Sequence, residues 1–167
     1  MCEKETVKKM SKWSNIKLII SDFDGVMTDN RALMDEDGRE WIFVNRADGQ
    51  AVHILRAMGI DLAIISTETN RVVTKRAEKL NVECVQGIQN KAECLKEYCN
   101  RKGILLKDVV YVGNDVNDYD AMQLAGIKIA PHDAYGVVKD IADYVTEVCG
   151  GYGVIREIAE VIKEHRE

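Results

Sequence analysis

Two aspartates near the start of the chain have the spacing of a phosphoryl-transfer site. They lie in Ser21-Asp22-Phe23-Asp24-Gly25-Val26-Met27-Thr28-Asp29, directly after a short apolar segment. On an extended strand, side chains two positions apart point the same way, and two carboxylates so placed offer the hard oxygen ligands that Mg²⁺ prefers. We predict that Asp22 is the nucleophile and that Asp24 is the general acid and base, both near the metal. Gly25 would let the backbone pass close to a phosphate.

Further polar candidates follow later apolar segments. We assign Thr28, Ser66 and Thr67 to phosphate binding, together with Lys91, whose charge would stabilise a transferring phosphoryl group. The segment Gly113-Asn114-Asp115-Val116-Asn117-Asp118 offers Asn114 or Asp115 as a further Mg²⁺ ligand. Taken singly, each has a plain alternative as a helix cap, a solvated lysine or a turn. Their order and their common position after successive strands support the joint interpretation.

The elements that must position these residues form an alternating pattern. Short Val/Ile/Leu-rich segments alternate with segments of helical period, which indicates an α/β fold with a Rossmann-like parallel sheet and helices on both faces. Ligands of such sheets bind beyond the carboxyl ends of the strands, where the polar residues stand. The predicted strands span 16–20, 62–65, 82–85, 109–112 and 127–130, and the predicted helices span about 49–58, 70–80, 90–102, 117–125, 135–142 and 152–165.

One segment interrupts this alternation. Residues 31–44 read as two short strands around an Asp37-Gly38 turn, which predicts a β-hairpin. We therefore expect one domain over residues 1–167, with an N-terminal extension at about 1–14, a hairpin flap over 30–45 and no cap domain. The flap is either a lid over the site or a surface excursion.

Composition narrows the class of protein. The net charge of −5 argues against nucleic acid or an anionic membrane as the main partner. The 5 cysteines form no CxxC pair, and we interpret them as reduced thiols. The N-terminal segment has no apolar core of a leader peptide, and no later stretch is long enough to span a bilayer. We expect a soluble, cytoplasmic protein.

With these motifs, the chain resembles the haloacid dehalogenase superfamily, whose first motif is DxDGxxTD and whose later motifs are Ser or Thr, Lys, and a GDxxxD-type loop. Within it, the chain is similar to the capless phosphatases of 3-deoxy-ulosonic acid biosynthesis and to the phosphatase-like domain of some acylneuraminate cytidylyltransferases. The resemblance spans roughly residues 15–163, and its further matching strings include the hairpin, Asn45, Asp48-Gly49, Ala77-Glu78-Lys79-Leu80, Gln86-Gly87 and Gly150-Gly151-Tyr152-Gly153-Val154-Ile155-Arg156-Glu157.

This resemblance implies an activity and an assembly. It implies a Mg²⁺-dependent phosphomonoesterase that forms an aspartyl-phosphate intermediate, and a homotetramer in which a neighbour's hairpin covers each site. Two departures stand out. Asn114 occupies a position where the family usually has an aspartate that ligates the metal, so either Mg²⁺ binds more weakly or Asp115 supplies the ligand. Ala47 occupies a position where octulosonate phosphatases tend to have arginine, and Arg46 stands one place earlier.

The resemblance also suggests the residues that recognise the substrate. In nine-carbon phosphatases of the family, the matching positions are Glu68, Arg76 and Lys79, and we assign Asp48 and Arg156 to substrate binding as well. Arg76 and Lys79 stand three apart on one helix, so both cations could meet a substrate carboxylate. This pattern favours a nine-carbon substrate such as 2-keto-3-deoxy-D-glycero-D-galacto-nononate 9-phosphate. The alternative substrate is 3-deoxy-D-manno-octulosonate 8-phosphate.

Two other classes of protein share some of these features. A non-catalytic oligomerisation domain that partners a cytidylyltransferase would not need the acidic, hydroxyl and lysine side chains of the motifs, although Asn114 favours it. A phosphorelay receiver domain also uses aspartate, lysine and Mg²⁺ on an α/β fold. Its phosphorylated aspartate would end the third strand, where this chain has Val85-Gln86.

Overall fold

The computed structural model describes residues 12–166, which form a parallel sheet between two layers of helices. Its strands are β1 (Leu18–Ser21), β4 (Asp61–Ile65), β5 (Glu83–Val85), β6 (Val109–Val112), β7 (Ile127–Ala130) and β8 (Tyr144–Val145). They lie in the order β5-β4-β1-β6-β7-β8, and every neighbouring pair is parallel. A separate antiparallel pair consists of β2 (Leu33–Met34) and β3 (Glu40–Trp41).

The helices follow the predicted segments closely. They are α1 (Ala47–Ala57), α2 (Arg71–Leu80), α3 (Lys91–Lys102), α4 (Tyr119–Leu124), α5 (Gly136–Lys139) and α6 (Val154–Glu164), with 3₁₀ turns at Leu106–Asp108 and Val116–Asp118. Two starts are set by asparagine caps: the side chain of Asn70 accepts from the Val72 amide at 3.1 Å, and that of Asn90 accepts from the Glu93 amide at 3.0 Å. Helix α5 is shorter than its predicted span of 135–142.

The apolar strands are buried on both faces, which explains why they read as continuous apolar runs. Ile19 packs on one face with side chains from α1, α2 and α6, and Ile20 packs on the other with side chains from α3, α4 and α5. The predicted α/β fold with helices on both faces is confirmed.

Strand β8 was not predicted from the sequence. It has 2 residues at the edge of the sheet, too few to show a period, and Val145 is exposed. A charged residue, Asp143, stands just before it and accepts a hydrogen bond from the Lys128 main chain at 2.9 Å.

The predicted hairpin is present. Its turn is closed by the Asp35 carboxylate, which accepts from the amides of Asp37 and Arg39 at 3.0 and 2.8 Å, and Gly38 takes a φ of +78° that favours glycine. Most of its apolar side chains face outward, while Ile42 packs against the core. The exposed ones, called the hairpin patch below, are Leu33, Met34, Trp41, Phe43 and Val44.

Part of the predicted N-terminal extension lies outside the described residues. Within it, Trp13 is buried and packs against the rings of Tyr144 and His165, with centroid distances of 6.4 and 5.1 Å. The domain boundaries stay a prediction. The described cysteines, from Cys84 onward, have free thiols. Over residues 12–166, the structure contains no helix with the length and apolar character needed to cross a membrane.

Candidate active site

The candidate site lies at the carboxyl edge of the parallel sheet. Strand β1 pairs with β4 on one side and with β6 on the other, so the loops that follow these strands start next to one another. The pairing continues past the end of β1, because the amide of Asp22 donates to the carbonyl oxygen of Val112 at 2.9 Å. Asp22 is thereby fixed between the loops after β4 and β6.

Lys91 and Asp22 form a buried ion pair. The Lys91 side chain, at the first residue of α3, is 1% exposed, and its Nζ lies 2.9 Å from Oδ1 of Asp22. The same oxygen accepts from the amide of Phe23 at 2.7 Å. Burial and the nearby Asp118 raise the pKa of Asp22, and Lys91 opposes this shift. Burial alone would lower the Lys91 pKa, but the two carboxylates outweigh it and hold that pKa above its usual value.

Asp118 is the partner that the sequence reasoning did not assign. It is fully buried, and its Oδ1 accepts from Lys91 Nζ at 2.7 Å and from the hydroxyl of Tyr111 at 3.1 Å. Its Oδ2 accepts from the main-chain amides of Asn114 and Asp115 at 3.0 and 3.4 Å. Asp118 therefore both fixes the Lys91 ammonium and shapes the loop after β6. The sequence feature that could have identified Asp118 is its position as the acidic last residue of the segment 113–118.

Asn114 faces the two aspartates of the first motif. One terminal atom of its amide lies 3.2 Å from Oδ2 of Asp22 and 3.1 Å from the main-chain oxygen of Asp24. By contrast, the Asp115 carboxylate accepts from the Val116 amide at 2.6 Å and caps the 3₁₀ turn.

These positions fit Mg²⁺. With the amide oxygen of Asn114 turned toward Asp22 and Asp24, it lies 3.2 and 3.1 Å from their two oxygen atoms, close to the roughly 3 Å that separates two oxygen ligands of one Mg²⁺ at metal–oxygen distances near 2.1 Å. Within residues 12–166, no cluster of three His, Cys, Asp or Glu side chains competes with this set as a metal site.

Asp24 is held by Thr28. The Thr28 hydroxyl donates to Oδ1 of Asp24 at 3.2 Å, and it accepts from the amides of Gly25 and Asn30, each at 3.2 Å. Thr28 is fully buried and engaged in these bonds, and its predicted contact with phosphate stays a prediction. Burial is the main cause that raises the pKa of Asp24; the Thr28 bond opposes the shift, and Glu68 and Glu40 add to it.

The loop after β4 carries the remaining phosphate candidates. Ser66 is buried and its Oγ accepts from the Glu68 amide at 3.1 Å, which leaves the hydroxyl hydrogen to donate elsewhere. Thr67 follows it and is half-buried. Glu68 lines a cleft of about 200 Å³ beside Asp24. The other residues that line this cleft are Phe23, Asn30, Arg31, Ala32, Glu40, Ile42, Asn70, Val72 and Val73.

Two predicted substrate residues lie inside the protein instead. Arg76 is 7% exposed, on the face of α2 that also buries Val73 and Leu80, and its Nη2 donates to the carbonyl oxygen of Asn45 at 2.6 Å. Asp48 is 1% exposed. Burial raises the Asp48 pKa to about 6, while Arg76 and the first amides of α6 oppose the shift.

Lys79 and Arg156 are also away from the cleft. Lys79 is exposed on α2, and Arg156 pairs with Glu160 one turn further along α6. The structure thus brings together Asp22, Asp24, Lys91 and Asn114, and Ser66 directly follows the neighbouring strand β4. Of the predicted substrate residues, only Glu68 lines the cleft.

Comparison with known proteins identifies the family of this chain. Residues 60–158 match the model of a family described as haloacid dehalogenase-like hydrolase. The 3-deoxy-D-manno-octulosonate 8-phosphate phosphatase KdsC of Salmonella typhi is 34% identical over 143 residues, which is 85% of this chain and 76% of that protein.

Two solved structures share the fold over nearly their whole length. The octulosonate phosphatase of Moraxella catarrhalis, in complex with a magnesium ion, a phosphate ion and KDO, is 30% identical with a TM-score of 0.91, covering 95% of this chain and 92% of its own. The cobalt-bound phosphatase of Haemophilus influenzae is 28% identical with a TM-score of 0.88, covering 93% and 91%. The chain belongs to the haloacid dehalogenase-like hydrolases and is a phosphatase of that family.

Proposed function

We propose that this phosphatase hydrolyses a 3-deoxy-ulosonic acid phosphate with Mg²⁺ as cofactor, and that its substrate is 3-deoxy-D-manno-octulosonate 8-phosphate. The observation that carries the proposal is the convergence of Asp22, Lys91 and Asn114 next to a polar cleft lined by Asp24. The relatives named above carry the octulosonate activity. The sequence-based preference for a nine-carbon substrate depended on Arg76 and Lys79, which are away from the cleft.

The chain supplies the parts of a two-step phosphoryl transfer. Oδ1 of Asp22 attacks phosphorus and the P–O bond to the sugar breaks, so that an aspartyl phosphate and an alkoxide form. Asp24 gives its proton to the alkoxide and then takes one from water, which attacks phosphorus and releases phosphate and free Asp22. Lys91 and the Ser66 hydroxyl stabilise the phosphoryl oxygens. Asp22, Asn114 and the Asp24 carbonyl oxygen would hold Mg²⁺, whose positive charge would let a carboxylate approach a phosphate dianion.

The environment of Asp24 suits an acid that must be protonated before it acts. Its pKa is raised, mainly by burial. A carboxyl group with a raised pKa holds its proton to a higher pH, so more of the enzyme can protonate the leaving group near neutrality. The bond from Thr28 keeps the carboxyl group aimed while it loses and regains its proton.

The cleft suits a polyhydroxylated acid. Asn30, Glu40, Glu68 and Asn70 line it with groups that pair with hydroxyls, and the side-chain amide of Asn70 donates to Glu40 at 2.7 Å, which ties the hairpin to the start of α2. The positive charge on the described lining comes from Arg31. Its guanidinium is largely exposed and pairs with Asp29 at 2.7 Å, so it is available to a substrate carboxylate at the mouth of the cleft.

We also propose a homotetramer in which the hairpin patch packs against a neighbouring copy. Phe43 is 80% exposed and Leu33 is 66% exposed, on a hairpin that stands beside the cleft. Adjacent apolar side chains at such exposure mark an interaction surface. A neighbour's hairpin over the cleft would exclude water from a site to which residues 12–166 contribute no cap domain.

A substrate comparison tests the proposed function. Steady-state kcat/KM is measured with Mg²⁺ for the eight-carbon 8-phosphate, a nine-carbon 9-phosphate and a generic aryl phosphate. We expect at least about a tenfold preference for the eight-carbon compound, or roughly 1.4 kcal/mol. Asp61→Asn is a suitable control, because this exposed carboxylate starts β4 at the opposite edge of the sheet. A tenfold preference for the nine-carbon compound would overturn the substrate assignment.

A further inference from the structure

The amide of Asn114 is enclosed on both sides. The residue is 5% exposed, and one terminal atom of the amide faces Oδ2 of Asp22 and the carbonyl oxygen of Asp24 at 3.2 and 3.1 Å. The other end lies against Gly25, where an added Cβ would come within 1.9 Å of it. The side chain therefore has no room to swing away, but its two ends are nearly equal in size and can exchange places by rotation of the amide.

The two orientations of this amide suit two different states of the site. With nitrogen toward Asp22 and Asp24, the amide donates to both oxygen atoms and the group of acceptors is satisfied. With oxygen in that place, three acceptors face one another, which is unfavourable unless a cation lies among them. The Asn114 oxygen then lies from each of the other two oxygen atoms at about the distance between two oxygen ligands of one Mg²⁺.

We infer that the Asn114 amide rotates when the cation binds, with nitrogen inward in the metal-free protein and oxygen inward in the Mg²⁺ complex. This inference rests on the magnesium site of the proposed function. It gives asparagine a role that aspartate does not have at this position. Aspartate has no hydrogen to donate when ionised, so it would place a second carboxylate against Asp22 in the metal-free protein.

The exchange of Asn114 for aspartate should therefore have opposite effects in the two states. Without metal, Asn114→Asp loses two hydrogen bonds and gains a charge repulsion, so we expect the Tm to fall by roughly 5 °C or more. With metal, the extra charge binds the cation better, and we expect Mg²⁺ affinity to rise about tenfold. Asn114→Asp distinguishes the metal-free state from the Mg²⁺-bound state, because an ionised aspartate can ligate the cation but cannot donate a hydrogen bond.

Thermal unfolding in EDTA and in a Mg²⁺ titration tests this inference, with calorimetry for the affinity. Asn117→Asp is the matched control, because it places the same charge in the same loop on an exposed residue, and it should keep the metal-free Tm within about 1 °C. A fall in the metal-free Tm confined to Asn114→Asp, with a larger gain on adding Mg²⁺, supports the rotation. An unchanged or higher metal-free Tm for Asn114→Asp overturns it, whatever the activity.

Two further outcomes separate the rotation from the proposed function. If Mg²⁺ changes the Tm of neither the natural chain nor the variant, the magnesium site and the rotation are both refuted. If Mg²⁺ stabilises both chains equally and Asn114→Asp costs no stability in EDTA, only the rotation is refuted.

A second measurement needs no variant. In a chain labelled with ¹⁵N at asparagine, the Asn114 amide hydrogens should be protected from exchange without metal and shift on adding Mg²⁺. A side-chain signal that Mg²⁺ leaves in place would overturn the rotation even if Asn114→Asp failed to fold.

Discussion

Replacement of Lys91 by methionine should cost both stability and activity. The Lys91 ammonium lies between Oδ1 of Asp22 and Oδ1 of Asp118, at 2.9 and 2.7 Å, and the two carboxylates are 7% and 0% exposed. Methionine keeps much of the volume but leaves two buried carboxylates without their cation. Loss of one partner of a buried ion pair costs about 3–5 kcal/mol. In a chain of this size, the Tm should fall on the order of 10 °C.

A second substitution identifies the cause of that loss. Asp118→Asn added to Lys91→Met removes one of the stranded charges, so the double variant should regain at least about 1 kcal/mol relative to Lys91→Met alone. Its phosphatase activity should stay low, because the Lys91 ammonium that stabilises the phosphoryl group is still missing. If the double variant regains stability but not activity, the stability lost in Lys91→Met came from the unpaired buried charge and not from a general distortion of the site.

The measurement is urea unfolding at pH 8 in EDTA, followed by circular dichroism. Lys96→Met is the matched control: Lys96 pairs with Glu93 at 3.4 Å on the surface of the same helix, and loss of that pair should cost less than about 1 kcal/mol. The role of Lys91 as the buried counter-charge is refuted if Lys91→Met costs no more stability than Lys96→Met, or if the double variant is less stable than Lys91→Met.

Three further variants test other sites. Asp22→Asn should lower kcat at least about a thousandfold in a chain that still folds, because Asp118 still pairs with Lys91, and near-normal turnover would rule out the covalent mechanism. The pKa of Asp48 is about 6 in the folded chain, against an ordinary value of 3.8. Protonated Asp48 therefore stabilises the fold below pH 3.8, and this contribution of roughly 3 kcal/mol is lost as the pH rises through about 6. Asp48→Asn should flatten this part of the pH profile of urea unfolding, and an unchanged profile would show that Asp48 is not its source. Leu33→Ser with Phe43→Ser should lower the mass found by light scattering, and a natural chain that is monomeric and fully active at micromolar concentration would exclude the tetramer.

The fold could be predicted because the sheet is buried on both faces. Residues 109–112 read as one apolar run for that reason, and the asparagines at 70 and 90 mark helix starts that the structure places within one residue. Strand β8 has only 2 residues and owes its place to pairing with β7, which no local pattern reveals.

The catalytic edge could be predicted because the polar residues follow successive strands. The recognition residues could not, because spacing on a helix does not tell which face is buried. Arg76 stands three residues after Val73 and four before Leu80, so the apolar pattern of α2 itself places it on the inner face. Asp118 was missed for another reason: its partner Lys91 is 27 residues away, and only the folded chain brings them together.

Because the hairpin is separate from the main sheet, its length can change the substrate specificity of the enzyme without changing the rest of the fold. Its strands β2 and β3 pair with each other and belong to a sheet of their own, so a residue added at the Asp37-Gly38 turn shifts no register in the main sheet. Doubling the length of a flexible loop costs only about 0.6 kcal/mol in closure entropy. Because Glu40 and Ile42 also line the cleft, insertions at this turn can reshape the substrate pocket while the catalytic edge stays fixed. The turn is therefore a natural place to graft new segments when the enzyme is engineered for larger phosphates.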